Sequence, residues 1–219
     1  MATMSGSQST DALCKELVEF CHSDSLSENG LREIIERYGC APNQSIENYN
    51  FIIYACHNER VTEGILRCLL EYFPNAASYS CQNGDGVVTP LQYICSNKNA
   101  TRGTVQLIID ACPESIDRGD NNGQAPLHFL CINKNLDASI KLDILGFLLE
   151  RCPEAARRTE NNHGYLPIHI AAGQGSKSVE FCRILIEAYP ESETIATSNG
   201  VIPLHAACKY GTVETVQYL

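Results

Sequence analysis

Three histidines stand in the same short phrase. His128 lies in NNGQAPLHFLC (121–131), His169 in NHGYLPIHIAA (162–172) and His205 in SNGVIPLHAAC (198–208). Histidine beside cysteine is material for a metal site or an activated nucleophile. The chain has 12 cysteines, two of them in the dipeptides Cys21-His22 and Cys56-His57. A zinc site needs ligands that converge at about 2.0–2.3 Å on one ion, and a thiolate nucleophile needs a base within hydrogen-bond reach. Neither dipeptide has a second pair to complete a zinc set, and no C-x-x-C occurs. A phosphate-binding loop, G-x-S-x-G and H-E-x-x-H are absent too. No catalytic residue, cofactor or metal is expected, and the chain reads as a non-enzyme.

The spacing of the phrase supplies the other explanation. Its proline falls at Pro90, Pro126, Pro167 and Pro203. Weaker copies, FIIYACHN and ELVEFCH, put Phe51 and Glu16 in the same slot, so the steps are 35, 39, 36, 41 and 36 residues. A second proline follows each of four segments, LLEYFP, IIDACP, LLERCP and LIEAYP, at Pro74, Pro113, Pro153 and Pro190. The two markers are 23 residues apart in three units and 27 in the unit of Pro126, which carries four extra residues near NKNLDASI. Two markers in one register define a repeat architecture of about six units.

The elements follow from the same residues. Proline fixes φ and lacks an N–H, so it suits the first position of a helix, and the short apolar run behind it predicts a buried helix. The second segment carries apolar residues at helical spacing: Leu66, Leu69, Leu70 and Phe73; Val105, Ile108, Ile109 and Cys112; Leu145, Leu148, Leu149 and Cys152; Cys182, Leu185, Ile186 and Tyr189. That stripe buries one face of a second helix, with Glu71, Asp110, Glu150 and Glu187 off it. The second proline is expected to end the helix. Between units come GDG (84–86), NNG (121–123), NHG (162–164) and SNG (198–200), residues that tolerate the positive φ of tight turns. No unit buries its apolar face alone; stacked neighbours share one core.

These residues resemble ankyrin repeats, whose units contain a turn, two antiparallel helices and a T-P-L-H-x-A phrase. The likeness covers roughly residues 11–219 and is closest in NGVIPLHAACKYGTVETVQYL, including Gly211 and Glu214. It implies an all-α solenoid, with residues 1–10 as a disordered lead, a degenerate first unit and a last unit that is truncated at Leu219, as in a fragment. Departures are Ala125, Leu166 and Ile202 where the family has threonine, longer units, and proline where a glycine usually closes the second helix; Gly39 keeps the glycine form. The resemblance also implies that the histidine of the phrase bonds locally and to the neighbouring unit. One cysteine slot, five past the first marker, holds Cys21, Cys56, Cys95, Cys131 and Cys208, with Ala172 in the fifth unit. Alanine there says that the slot wants a small apolar group. Bridged cysteines need Cα atoms about 4.4–6.8 Å apart, less than the roughly 8–10 Å between packed helices, so all twelve thiols are expected to be unbridged.

The formal net charge is −10, from 16 basic and 26 acidic residues. That balance argues against nucleic acid, which needs a basic face, and against an anionic membrane surface. MATMSGSQST has no apolar stretch of a signal peptide. A monomer is expected in the cytoplasm or nucleus. Partners of ankyrin proteins dock on the side formed by turn tips and first-helix ends, so the resemblance implies a scaffold for a protein partner. Its candidate contacts are Asn121, Asn122, Gln124, Asn162, His163, Tyr165, Asn199 and Val201 at the tips, and Asn133, Gln174, Lys209 and Tyr210 on the helix ends. Asn83, Asp85 and Ser198 at tips, and His57, Asn58, Ser96 and Asn97 at helix ends, are equivalent positions. Asn122 and Asn199 also have a plain use in the turn. Tyr165 and Tyr210 do not, and tyrosine is enriched at hot spots. The alternative is a targeting or regulatory arm of a larger enzyme or channel.

Overall fold

A computed structural model describes residues 6–43, 45–46, 48–83, 86–174 and 179–219, and they divide into two compact units, Met1–Ser115 and Ile116–Leu219. The first contains α1 (Gly6–His22), α2 (Glu28–Arg37), α3 (Asn50–His57), α4 (Glu63–Tyr72), α5 (Pro90–Ser96) and α6 (Arg102–Ala111). α1, α3 and α5 pack in one row, and α2, α4 and α6 in another. Leu17, Leu31, Ile35, Phe51, Leu66 and Leu69 are all fully buried between the rows. Full burial stabilises by about 1.5–3 kcal/mol per such side chain. The Phe51 and Phe73 rings meet edge to face at 5.2 Å. Helix α1 takes in residues 6–10, which the sequence suggested as a disordered lead; residues 1–5 lie outside the described ones. One of the turns is long enough to pair as strands, β1 (Cys81–Asn83) with β2 (Gly86–Val88), antiparallel, Gln82 opposite Val87.

The second unit contains α7 (Pro126–Ile132), α8 (Ala138–Arg151), α9 (Pro167–Ala172), α10 (Val179–Ala188), α11 (Pro203–Tyr210) and α12 (Val213–Tyr218). α9 packs on α7 and α11, and α10 on α8 and α12. The all-α reading holds. Each first-marker proline begins its helix as expected. The second-marker prolines do more than end helices. Each opens a short 3-10 turn, Pro74–Ser78, Pro113–Asp117, Pro153–Arg157 and Pro190–Glu193. A fixed φ that excludes the preceding residue from α geometry is compatible with starting this tighter turn. At Gly39 (φ 65°) the chain instead closes α2 with two reverse bonds, from Gly39 N–H to Glu36 O and from Cys40 N–H to Ile35 O.

The four extra residues of the Pro126 unit are not a loop. They lengthen the second helix, so α8 has 14 residues where α4, α6 and α10 have 10. Asp137 caps the added turn by accepting from the N–H groups of Ser139 and Ile140.

The cysteine slot is buried at Cys21, Cys56, Cys95, Cys131 and Ala172 but exposed at Cys208, because no described element covers that side of α11. All twelve sulfurs are unbridged. Burial pushes the Cys95 thiol up to about 12 and Cys68 to about 11, and the thiolate is the reactive form. Alkylation of the native protein at pH 8 should therefore mark Cys208 first and leave Cys56 and Cys95 unmodified until it unfolds. Mass spectrometry of the digest reads this, and early labelling of Cys95 would contradict it. No helix among the described residues is long and apolar enough to cross a membrane.

Candidate functional site

The histidines of the repeated phrase are structural. His128 sits in the first turn of α7, where its Nδ1 accepts the Ala125 N–H at 3.2 Å and its Nε2 stands 3.3 Å from the Tyr165 carbonyl of the next repeat. A carbonyl only accepts, so Nε2 carries the proton and the ring is neutral. His169 repeats this, with Leu166 N–H at 3.1 Å and Ile195 O at 3.0 Å. His205 keeps the local bond alone among those seen, from Ile202 N–H at 3.3 Å. In the first unit Gln92 does the same local work, accepting the Thr89 N–H at 2.7 Å while Thr89 caps α5. Desolvation by burial holds His128 and His169 below the usual histidine value, outweighing the carbonyls that favour a proton. Among the described residues, no three metal-binding side chains cluster as a site.

A second set of bonds shapes the turns. Asp120 and Thr197 stand six residues before their prolines, and Glu160 stands seven before Pro167, because its turn is one residue longer. Asp120 Oδ1 accepts from the Asn122 and Gln124 N–H groups, and Thr197 Oγ1 from Val201. Glu160 accepts three, from Asn162 (2.8 Å), His163 (2.5 Å) and Tyr165 (3.3 Å). Burial would raise its carboxyl; those three donors and the nearby His163 outweigh that and hold it below the ordinary range. Gly123, Gly164 and Gly200 take φ of 74–76° in these turns, a region glycine enters freely. Neighbouring tips are tied together, Asn161 N–H to Asn122 O at 2.6 Å and Ser198 N–H to His163 O at 2.8 Å.

The third set lies at the ends of the first helices. Asn58 Nδ2 donates to the carbonyls of Cys21 and Ser23, and Asn97 Nδ2 to those of Cys56 and Asn58. In the second unit Lys141, on the added turn of α8, takes over this role and donates to Cys131 O at 3.0 Å and Asn133 O at 2.8 Å. Burial lowers the Lys141 ammonium below its usual range.

These bonds sort the expected contacts. Asn133 is a correction: it is buried, and its side-chain oxygen accepts from Asn135 and Leu136. Asn97 is buried likewise, and Asn58 is half-buried in the same role. Asn121 and Asn122 lend carbonyls to the next turn. Asn199 is exposed on its turn, as is Ser198, and neither is among the residues that line the groove below. His57 meets Tyr93 edge-on at 5.6 Å, and Ser96 donates to Tyr93 O. Asn83 pairs its backbone with Gly86; Asp85 lies outside the described residues. The remaining eight come together. Gln124, Asn162, His163, Tyr165, Gln174, Val201, Lys209 and Tyr210 line one open groove of about 560 Å³ in the second unit. Its floor is apolar, from Ile132, Ile170 and Ala206, with Gly173 and His205 beside them. Tyr165 stands edge-on to His163 and His169 at 6.1 and 5.8 Å. Tyr210 is 61% exposed and Ile132 44%. Sequence reasoning missed Ile132, Ile170 and His205. Ile132 and Ile170 stand six and three residues past their prolines, slots that face outward on a short helix whose other residues are buried.

A stack of helix pairs whose polar groups hold the turns, with an apolar groove across the first helices of the second unit, defines a helical-repeat module. Residues 138–219 match the sequence pattern of ankyrin repeats in three copies. Among curated proteins the chain is similar to the tyrosine-protein kinase Shark of Drosophila melanogaster, 31% identical over 133 residues, 60% of this chain and 13% of that protein. It is also similar to the SMC5-SMC6 complex localization factor protein 1 of Bos taurus, 26% identical over 122 residues, 53% of this chain and 11% of that protein. The chain thus covers little more than a tenth of either relative.

Proposed function

We propose that the protein is a non-catalytic scaffold that binds a protein partner in the groove of its second unit. One observation carries this: two tyrosines and two isoleucines converge there, Tyr210 at 61% and Ile132 at 44% exposure with Tyr165 and Ile170 half-buried, while Glu160 at the groove's edge is engaged by its own turn. Aromatic side chains supply large contact area at small entropic cost, and turns already held by hydrogen bonds need little reordering on binding. The monomer suffices. A second reading, the repeats as the targeting arm of a larger protein, draws on the length of the two relatives; the groove would serve it equally.

Affinity capture from the source lysate tests the groove. A double variant, Tyr165→Ala with Tyr210→Ala, should keep its circular dichroism and lose the partner, since each buried aromatic anchor at an interface contributes about 2 kcal/mol or more. Equal recovery by both proteins would move the site to another face.

A further inference from the structure

The charge of the second unit is unevenly placed. Helices α7, α9 and α11 contain no Asp or Glu, whereas α8, α10 and α12 carry Asp143, Glu150, Glu180, Glu187 and Glu214. Among the groove's described lining residues the single carboxylate is Glu160, which is 5% exposed and turned into its own turn, where three N–H groups occupy it. The groove's ammonium, Lys209, is exposed and stands 4.8 Å from the centre of the Tyr210 ring. His163 and His205 flank the same apolar floor.

We propose that the groove selects an acidic peptide: an extended segment of the partner that places an Asp or Glu against Lys209 and an adjacent apolar side chain against Tyr165 and Tyr210. This deepens the reading of the groove as the partner site and rests on it. Charge complementarity favours the assignment over a basic segment, which would meet Lys209 and find no available carboxylate among the groove's described residues. The chain's net charge of −10 does not oppose it at contact range, because exposed charges farther than about 8 Å are largely screened at physiological salt. Lys209 at the rim would set association and discrimination, and the tyrosines the lifetime of the complex.

Selection of a random-peptide phage library on the immobilised whole chain tests this. The most enriched peptide is synthesised with a fluorophore and titrated by anisotropy at low and high salt. We expect enriched sequences to pair Asp or Glu with an apolar residue. Lys209→Glu should weaken binding about tenfold, through charge reversal of a rim contact, while Lys209→Arg should not. High salt should weaken binding to the native protein and not to Lys209→Glu. Peptides that are basic or uncharged, or that ignore Lys209→Glu yet are lost in the Tyr165→Ala, Tyr210→Ala variant, would overturn the acidic assignment and leave the groove standing. Peptides indifferent to both variants, or no enrichment at all, would overturn both. Lys209 is exposed, so circular dichroism should show each variant folded.

Discussion

Glu160→Ala is expected to destabilise the second unit by about 3 kcal/mol, among the largest losses any single polar substitution here should produce. The carboxylate stands at 5% exposure and organises a five-residue turn through three charge-assisted bonds. A hydrogen bond to a charged group contributes about 1.5–3 kcal/mol. Because Asn162 and His163 are themselves exposed, water can reclaim part of the loss, which brings the sum down to the value given. Glu160→Gln should cost less, since one oxygen survives to accept, but its amide then faces an N–H donor. The pH sign follows from a lowered native carboxyl: its contribution is full above the ordinary value of 4.5 and is lost as pH falls through the lower native one. Chemical denaturation of the three proteins at pH 7 checks the order, native above Gln above Ala. A change under about 0.5 kcal/mol for Ala, the size typical of an uninvolved surface site, would show that the turn holds without it.

His128→Ala is expected to cost about 2 kcal/mol, one net hydrogen bond of about 1 kcal/mol at each ring nitrogen, with the emptied volume adding to it. His128→Gln should recover most of this at neutral pH, because Gln92 already performs the local half of the task in the first unit, accepting the Thr89 N–H at 2.7 Å. The two variants also separate charge from shape. Burial makes the native ring resist the proton, and a proton on Nδ1 would also set an N–H against the Ala125 N–H. A native value below 6.5 means that the unfolded chain takes the proton first as pH falls. Stability is therefore full above about 6.5 and declines below it, with His169 adding to the decline. Thermal melts across that window should show a shallower decline for His128→Gln than for the native protein. An unchanged slope would sink the account.

Much of this was legible in the residues. The period, the two rows of helices and the buried stripes follow from Pro90, Pro126, Pro167 and Pro203 and the apolar spacing behind them, since both signals act within one or two turns of chain. The extra turn of α8 was not, because four residues lengthen a helix or a loop with the same letters; the cap at Asp137 decides it. Among the groove residues, Tyr165 and Tyr210 were identifiable as aromatics that no turn requires. Asn133 misled, since asparagine serves a solvent-facing tip and a buried acceptor for the N–H groups that follow it equally well, and only burial distinguishes them. Glu160 escaped notice because its role needs the register of a turn one residue longer than its neighbours.

The clamps at Asn58 and Asn97 hold a consequence for how such a chain can change. Each asparagine reaches back to carbonyls at the same two positions of the repeat before it, Cys21 and Ser23 in one case, Cys56 and Asn58 in the other. The parts are interchangeable. Excise one whole repeat, and Asn97 would find at Cys21 and Ser23 the acceptors it lost at Cys56 and Asn58; copy one, and the new asparagine meets its pair in turn. Insertions or deletions of a full period leave every clamp matched, while those of a fraction of a period strand an amide in the interior. Unequal duplication in whole repeats is thus the route by which this architecture can lengthen or shorten while staying folded.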